Sequence, residues 1–151
     1  KDYLFTPCTP KACIELLTYY NIDVRGLNIT IIGCSNLVGL PLSMMLLHRG
    51  ATVTICHIDT KNVKEHCLQS DMVISCCGVP CMVKEDWIKE ETIIIDIGTN
   101  KIEKSNKIVG DVDYENVKNK CSYITPVPGG IGPMTVMMLI QQTITACENS
   151  I

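Results

Sequence analysis

A chain of 151 residues is the size of one domain and large enough to bury a core without disulfide or metal staples. Its apolar fraction of 46%, charged fraction of 19% and formal net charge of -3 leave no basic surface for a polyanion, which excludes nucleic acid as a partner class. No apolar run approaches the roughly 20 residues of a membrane helix, and no secretory signal opens the chain. An intracellular, cytoplasmic protein without membrane association is therefore expected. Lys1 in first place points to a longer parent, whose upstream targeting segment could redirect it to an organelle.

In chain order, Thr9 and Pro10 open a helix that runs to about Tyr20, with Thr9 capping free amides and Pro10 in the first turn. Asn28 to Ile32 is a short β-branched run stopping at Gly33, the pattern of a buried strand that feeds a glycine turn. Leu42, Met45 and Leu46 then give the segment from Pro41 to His48 an apolar face at helical spacing, closed by Gly50. The unit recurs with Thr52 to Cys56 as strand, Asn62 to Leu68 as helix, Met72 to Cys76 as strand ending at Gly78, and a short helical stretch around Lys84 to Trp87. Thr92 to Ile97 is a fourth strand ending at Gly98; Val109 to Val112 and Tyr123 to Thr125 are further short strands around a helix near Tyr114 to Asn119. Met134 to Cys147 is the last helix. Continuous apolar strands alternating with helices predict a Rossmann-type α/β fold: one doubly wound parallel sheet covered on both faces, with an N-terminal linker helix and a C-terminal helix.

Three segments carry chemistry. Gly33-Cys34-Ser35-Asn36-Leu37-Val38-Gly39 sits between the first strand and its helix, where free amides attract a pyrophosphate, although a structural turn would share its spacing. The second strand ends in His57-Ile58-Asp59-Thr60, where Asp59 either accepts from a ribose hydroxyl and repels a 2'-phosphate, or caps the next helix. Pro126-Val127-Pro128-Gly129-Gly130-Ile131-Gly132-Pro133-Met134-Thr135 is rigid and low in side-chain bulk, so a planar ring could approach its backbone, and it delivers Thr135 toward the strand ends. Asp96 to Asn100 and Cys76-Cys77-Gly78 end strands at the same edge and are candidate crevice walls. The ten cysteines contain no C-x-x-C pair and read as small buried hydrophobes of a reduced compartment. No zinc-ligand spacing involves His48, His57 or His66, so no metal is expected. Nothing cationic near Cys76 and Cys77 in sequence lowers a thiol pKa.

Together, Pro7-Cys8-Thr9-Pro10-Lys11, Gly33-x-Ser35-x-x-Val38-Gly39-x-Pro41 and the Pro126 to Thr135 segment closely resemble the methylenetetrahydrofolate dehydrogenase/cyclohydrolase family over almost the full chain. Thr54-x-Cys56-His57, Asp96-x-Gly98-x-Asn100 and Gly110-Asp111-Val112 also stand where that family has them. The resemblance implies the family's C-terminal NAD(P)-binding domain over residues 26–151, preceded by an interdomain linker helix region over 1–25. It implies a parent that oxidises 5,10-methylenetetrahydrofolate with a nicotinamide dinucleotide and hydrolyses the methenyl product to 10-formyltetrahydrofolate. Gly33, Ser35, Leu37, His57, Cys76, Thr99, Gly132 and Thr135 would face the cofactor, and Pro128 and Gly129 the folate. A homodimer through this domain is implied as well.

Two departures qualify that picture. The family usually has arginine at Cys34, and Ser-Lys at Ile58-Asp59. The groups expected to hold the 2'-phosphate of NADP are thus missing, which predicts that NAD is favoured over NADP or that affinity is low for both. In the family the catalytic lysine and its tyrosine, glutamine and aspartate helpers come from an N-terminal folate domain preceding the Pro-Cys-Thr-Pro segment. This chain is therefore expected to hold no catalytic residue and to be inactive alone. The alternatives are a noncatalytic Rossmann binding or dimerisation module that has lost cofactor recognition, and an amino-acid or shikimate-type dehydrogenase, which would not need the Pro126 to Thr135 segment.

Overall fold

The computed structural model describes residues 5–102 and 106–150; residues 1–4 of the expected linker and residue 151 of the expected domain lie outside that range. In chain order the elements are α1 (Cys8–Tyr19), β1 (Asn28–Ile32), α2 (Gly39–His48), β2 (Thr52–Cys56), α3 (Val63–Gln69), β3 (Met72–Ser75), a 3-10 turn (Glu85–Trp87) and β4 (Thr92–Asp96). They continue with β5 (Asn100–Ile102), β6 (Lys107–Val109), α4 (Tyr114–Val117), β7 (Cys121–Ile124) and α5 (Ile131–Glu148). Five strands pair in parallel in the order β2-β1-β3-β4-β7. The chain crosses from one half of the sheet to the other between β1 and β3, and that reversal point is where doubly wound sheets open a crevice at their carboxyl edge.

Period-two alternation divides the strand residues between two cores. Ile29, Ile31, Met72, Ile74 and Ile95 pack with Ala12, Leu17, Leu42, Leu46 and Met138, which belong to α1, α2 and α5. Ile32, Val73 and Ile94 pack on the other face with Cys67, Val83, Ile88 and Val117. Both faces are apolar because both are covered, so the strands read as continuous rather than alternating runs. Thr30 is the polar exception among the buried residues of β1. Its hydroxyl lies 2.6 Å from that of Ser70 and 3.2 Å from the His66 carbonyl, so it is satisfied at the end of α3. Among the described residues no helix is long and apolar enough to cross a membrane.

Three local expectations are corrected. Thr9 is not a cap, because α1 already begins at Cys8 after Pro7 and no side chain caps it; the Thr9 hydroxyl instead lies 3.3 Å from that of Thr135 on α5. Asp59 does not cap α3 either, since Asn62 occupies that position with φ 56. Val109 to Val112 is not a strand of the main sheet. β6 pairs antiparallel with β5 in a separate ribbon, while the amides of Asp111 and Val112 turn inward to the buried Asp96 carboxylate, at 3.0 and 2.9 Å.

Candidate functional site

The turn after β1 is shaped by two glycines. Gly33 has φ +118, and a Cβ there would come 2.6 Å from the Cys76 carbonyl oxygen at the end of β3. A Cβ on Gly39 would come 1.9 Å from the Gly33 carbonyl oxygen. Only bare backbone lets the turn double back between β1 and α2 against the neighbouring strand. Ser35 holds the bend from within, its Oγ accepting from the Val38 amide at 3.1 Å. Among the described residues nothing accepts from the amides of Cys34, Asn36 or Leu37, and the side chains of residues 34–37 are exposed. Unsatisfied donors at the start of a helix, facing open space, suit an anion such as a pyrophosphate.

On one flank, residues 57–60 close a tight turn after β2. The His57 amide donates to Thr60 Oγ1 (2.8 Å) and the Thr60 amide to the His57 carbonyl (2.9 Å). His57 Nδ1 accepts from the Asp59 amide at 3.2 Å and lies 3.7 Å from the Asp59 carboxylate. Ile58 is fully exposed at the tip. An acid and an apolar side chain therefore stand where the ribose of an adenosine would lie.

On the other flank, the loop from Pro126 to Pro133 closes a cavity of about 200 Å³ with Asp96, Ile97, Gly98, Thr99 and Ile108. This brings Thr99, Pro128, Gly129 and Gly132 together. Gly132 has an ordinary φ, and nothing lies within 4 Å of the position its Cβ would take, so its lack of a side chain leaves room rather than relieving a clash. Thr135 does not line this cavity. Its hydroxyl donates to the Ile131 carbonyl at 3.0 Å and faces Thr9. A larger, apolar concavity of about 610 Å³ lies between α1, β4, β7 and α5, lined in part by Tyr19, Tyr20 and Tyr123. It shares the Pro126 loop but gathers no set of polar groups.

The thiols of Cys76 and Cys77 are not activated. Cys76, half-buried beside Gly33, is pushed up to about 12 by burial, with the neighbouring Cys77, Asp111 and Cys34 adding to the rise. Burial raises Cys77 as well. Cys34 and Cys147 are exposed, which corrects the reading of every cysteine as buried; all ten are free thiols. Behind the crevice two carboxylates are inaccessible, Asp96 at 3% and Asp111 at 0% exposure. Burial lifts Asp96 to about 6 against the pull of the amides of Asp111, Val112 and Gly98. Sequence reasoning placed Asp96 on the crevice wall but assigned no role to Asp111, because its apolar neighbours read as strand.

A glycine turn with unpaired amides, an acid after β2 and a glycine-rich loop over the far strands, all on the carboxyl edge of one parallel sheet, define a Rossmann-like dinucleotide-binding domain. The residues present fit such a ligand by their open backbone and unpaired donors. The chain belongs to the family described as tetrahydrofolate dehydrogenase/cyclohydrolase, NAD(P)-binding domain, whose model matches residues 7–151. It is 54% identical over 144 residues to the bifunctional protein FolD of Nitratiruptor, covering 95% of this chain and 50% of that protein. The crystal structure of the FolD methylenetetrahydrofolate dehydrogenase/cyclohydrolase from Campylobacter jejuni superposes with a TM-score of 0.95 at 48% identity, over 97% of this chain and 52% of that one. The Trypanosoma brucei FolD, solved with NADP and an inhibitor, superposes with a TM-score of 0.94 at 34% identity, over 99% and 53%. The chain thus spans about half the length of the relatives it matches.

Proposed function

We propose that this chain is the dinucleotide-binding half of an enzyme that oxidises 5,10-methylenetetrahydrofolate to 5,10-methenyltetrahydrofolate and hydrolyses that product to 10-formyltetrahydrofolate. The observation that carries the reading is the glycine turn after β1 and the Pro126–Pro133 loop sharing one sheet edge, on either side of the β1–β3 reversal. Residues 1–25 serve as the linker helix region and 26–151 as the dinucleotide domain. Gly33, Cys34, Ser35 and Leu37 bind the pyrophosphate and adenosine; His57, Ile58 and Asp59 surround the ribose. Cys76, Thr99 and Gly132 face the nicotinamide half, with Pro128 and Gly129 toward the folate; Thr135 stands one turn further along α5, its hydroxyl held by the Ile131 carbonyl, and supports the helix start that carries Gly132.

When bound, the nicotinamide supplies a hydride acceptor. This chain's own work is to hold that ring at contact distance from the folate carbon and to keep water from the ring face. The proton-moving residues belong to a folate-binding N-terminal half of the parent. Val136, Ile140 and Ile144, about half exposed along one side of α5, offer that half an apolar face to cover. A homodimer in the cytoplasm completes the reading.

Selectivity follows from the turn after β2. The Asp59 carboxylate repels a 2'-phosphate and Cys34 supplies no positive charge, so NAD binds more tightly than NADP. Calorimetric titration of the chain with each dinucleotide tests both levels. Tighter NADP binding overturns the selectivity, and heat from neither overturns the dinucleotide site. Turnover of methylenetetrahydrofolate by the pure chain would overturn the assignment of catalysis to the other half.

A further inference from the structure

We infer that Asp111 is a positioning residue for the nicotinamide half of the site, tying together the strand ends that build it. The inference rests on the dinucleotide reading above and adds a residue that reading does not use.

A carboxylate with no exposed surface persists only where donors replace its water. Asp111 has five: the amides of Cys77 at 2.8 Å and Gly78 at 3.2 Å, the Ser75 hydroxyl at 3.1 Å, the Cys77 thiol at 3.4 Å and Asn100 Nδ2 at 2.8 Å. The first four belong to the end of β3 and its turn, which carries Cys76 against Gly33. The fifth belongs to the segment after β4, which carries Thr99. Asp96 reciprocates, accepting from the amides of Gly98, Asp111 and Val112 at 3.0, 3.0 and 2.9 Å. Its own amide donates to Thr125 Oγ1 at 2.8 Å, immediately before the Pro126 loop. Asp111, Asp96 and Thr125 therefore form one continuous connection from the end of β3, past β4, to the end of β7.

Two glycines make this crossing possible. A Cβ on Gly98 would sit 2.0 Å from Asp111 Oδ1, and one on Gly110 would sit 1.9 Å from Asp96 Oδ2. Each carboxylate fills the space a side chain on the opposite segment would take. The sheet itself does not depend on Asp111, which lies outside the five paired strands. What it holds are the loops at the carboxyl edge, including Gly98 and Thr99, which wall the cavity beneath Pro128, Gly129 and Gly132. In a doubly wound sheet the adenosine lies over the first half and the nicotinamide over the second. Each donor to Asp111 comes from the second half.

The test compares NAD with ADP-ribose, the same molecule without its nicotinamide ring, by calorimetry on this chain and on Asp111→Asn and Asn100→Ala. Melting curves follow in parallel. Asn100→Ala should weaken NAD binding by about tenfold, the scale of one ordered hydrogen bond to a charged group, and leave ADP-ribose within about twofold of the parent chain. Asp111→Asn should shift the same ratio further. If Asp111→Asn does not fold, Asn100→Ala decides alone, because it removes one of five donors and the residue is only half-buried. Unchanged affinity for both ligands in a folded variant, or a parallel fall in both, overturns the inference, since general destabilisation does not separate the two. Failure of the parent chain to bind either ligand is a different result and overturns the dinucleotide reading itself.

Discussion

Gly132→Ala separates what the chain requires from what its ligand requires. Gly132 is the second residue of α5, with an ordinary φ and no heavy atom within 4 Å of where a Cβ would stand. Inside the chain, alanine is therefore an improvement. It restricts the unfolded backbone and favours the helix by about 0.5–1 kcal/mol, which raises the melting temperature by roughly 1–4 °C for a chain of this size. Toward the cavity the same methyl is an intruder, because any ligand atom must stay about 3.5 Å from it. A ring seated on bare backbone would be displaced, at about 1–3 kcal/mol if overpacking in cores is a guide, or roughly 5- to 150-fold in affinity. Thermal melting and calorimetric titration with NAD read the two effects separately. A variant more stable and weaker in binding supports the argument. Undiminished affinity would show that Gly132 does not meet the cofactor, and a lower melting temperature would show that the space around it is not open.

Gly39→Ala should behave in the opposite way, since its Cβ would meet the Gly33 carbonyl at 1.9 Å and backbone has little room to yield; a loss of about 2–4 kcal/mol in urea unfolding is expected, and unchanged stability would contradict the tight turn. Asp96 gives a pH signature. Burial raises its carboxyl to about 6, so the native state binds this proton more tightly than the unfolded chain. Its stabilising contribution is full below about pH 4 and is lost as the pH rises through 6, at most about 3 kcal/mol. Asp96→Asn should flatten that part of the stability profile relative to the parent chain, and parallel profiles would refute the shift. Cys34 is an exposed thiol in the anion turn, so saturating NAD should slow its alkylation by iodoacetamide, followed by mass spectrometry, without slowing that of the exposed Cys147; equal rates at Cys34 with and without NAD would place the dinucleotide elsewhere.

The fold was legible where burial is two-sided. Asn28 to Ile32, Met72 to Cys76 and Thr92 to Ile97 are near-continuous apolar runs because helices cover both faces of the sheet, and each became a central parallel strand. Legibility ended where a carboxylate replaced a ladder. Val109 to Val112 carries the same apolar signal, yet the amides of Asp111 and Val112 bond to Asp96 rather than to a strand. No local pattern distinguishes a buried, fully bonded aspartate from an exposed one between a glycine and a valine. Thr9 failed for a related reason. Its cap chemistry is real, but tertiary packing put its hydroxyl against Thr135, 126 positions away in sequence. The glycine turn at Gly33 fared better, because a bend between a strand and the helix that follows it leaves a local glycine signal, although the Cys76 carbonyl that also requires that glycine lies on a neighbouring strand.

Surface chemistry carries the remaining step toward the choice of dinucleotide. Leu37 is 77% exposed and Ile58 100% exposed, at the tips of the turns after β1 and β2. These are neighbouring strands in the sheet, so the two apolar side chains rise from one flank of the crevice. Neither packs against the chain, and polar residues would serve a solvated turn equally well. An adenine lying over this flank would cover apolar surface at both tips. A 2'-phosphate added to its ribose would instead be drawn toward Ile58 and the Asp59 carboxylate, losing hydration against the first and meeting repulsion from the second. Cover for the ring is thus shared by two turns and refusal of the phosphate falls to the second, so the selectivity expected here follows from side chains rather than from the course of the backbone.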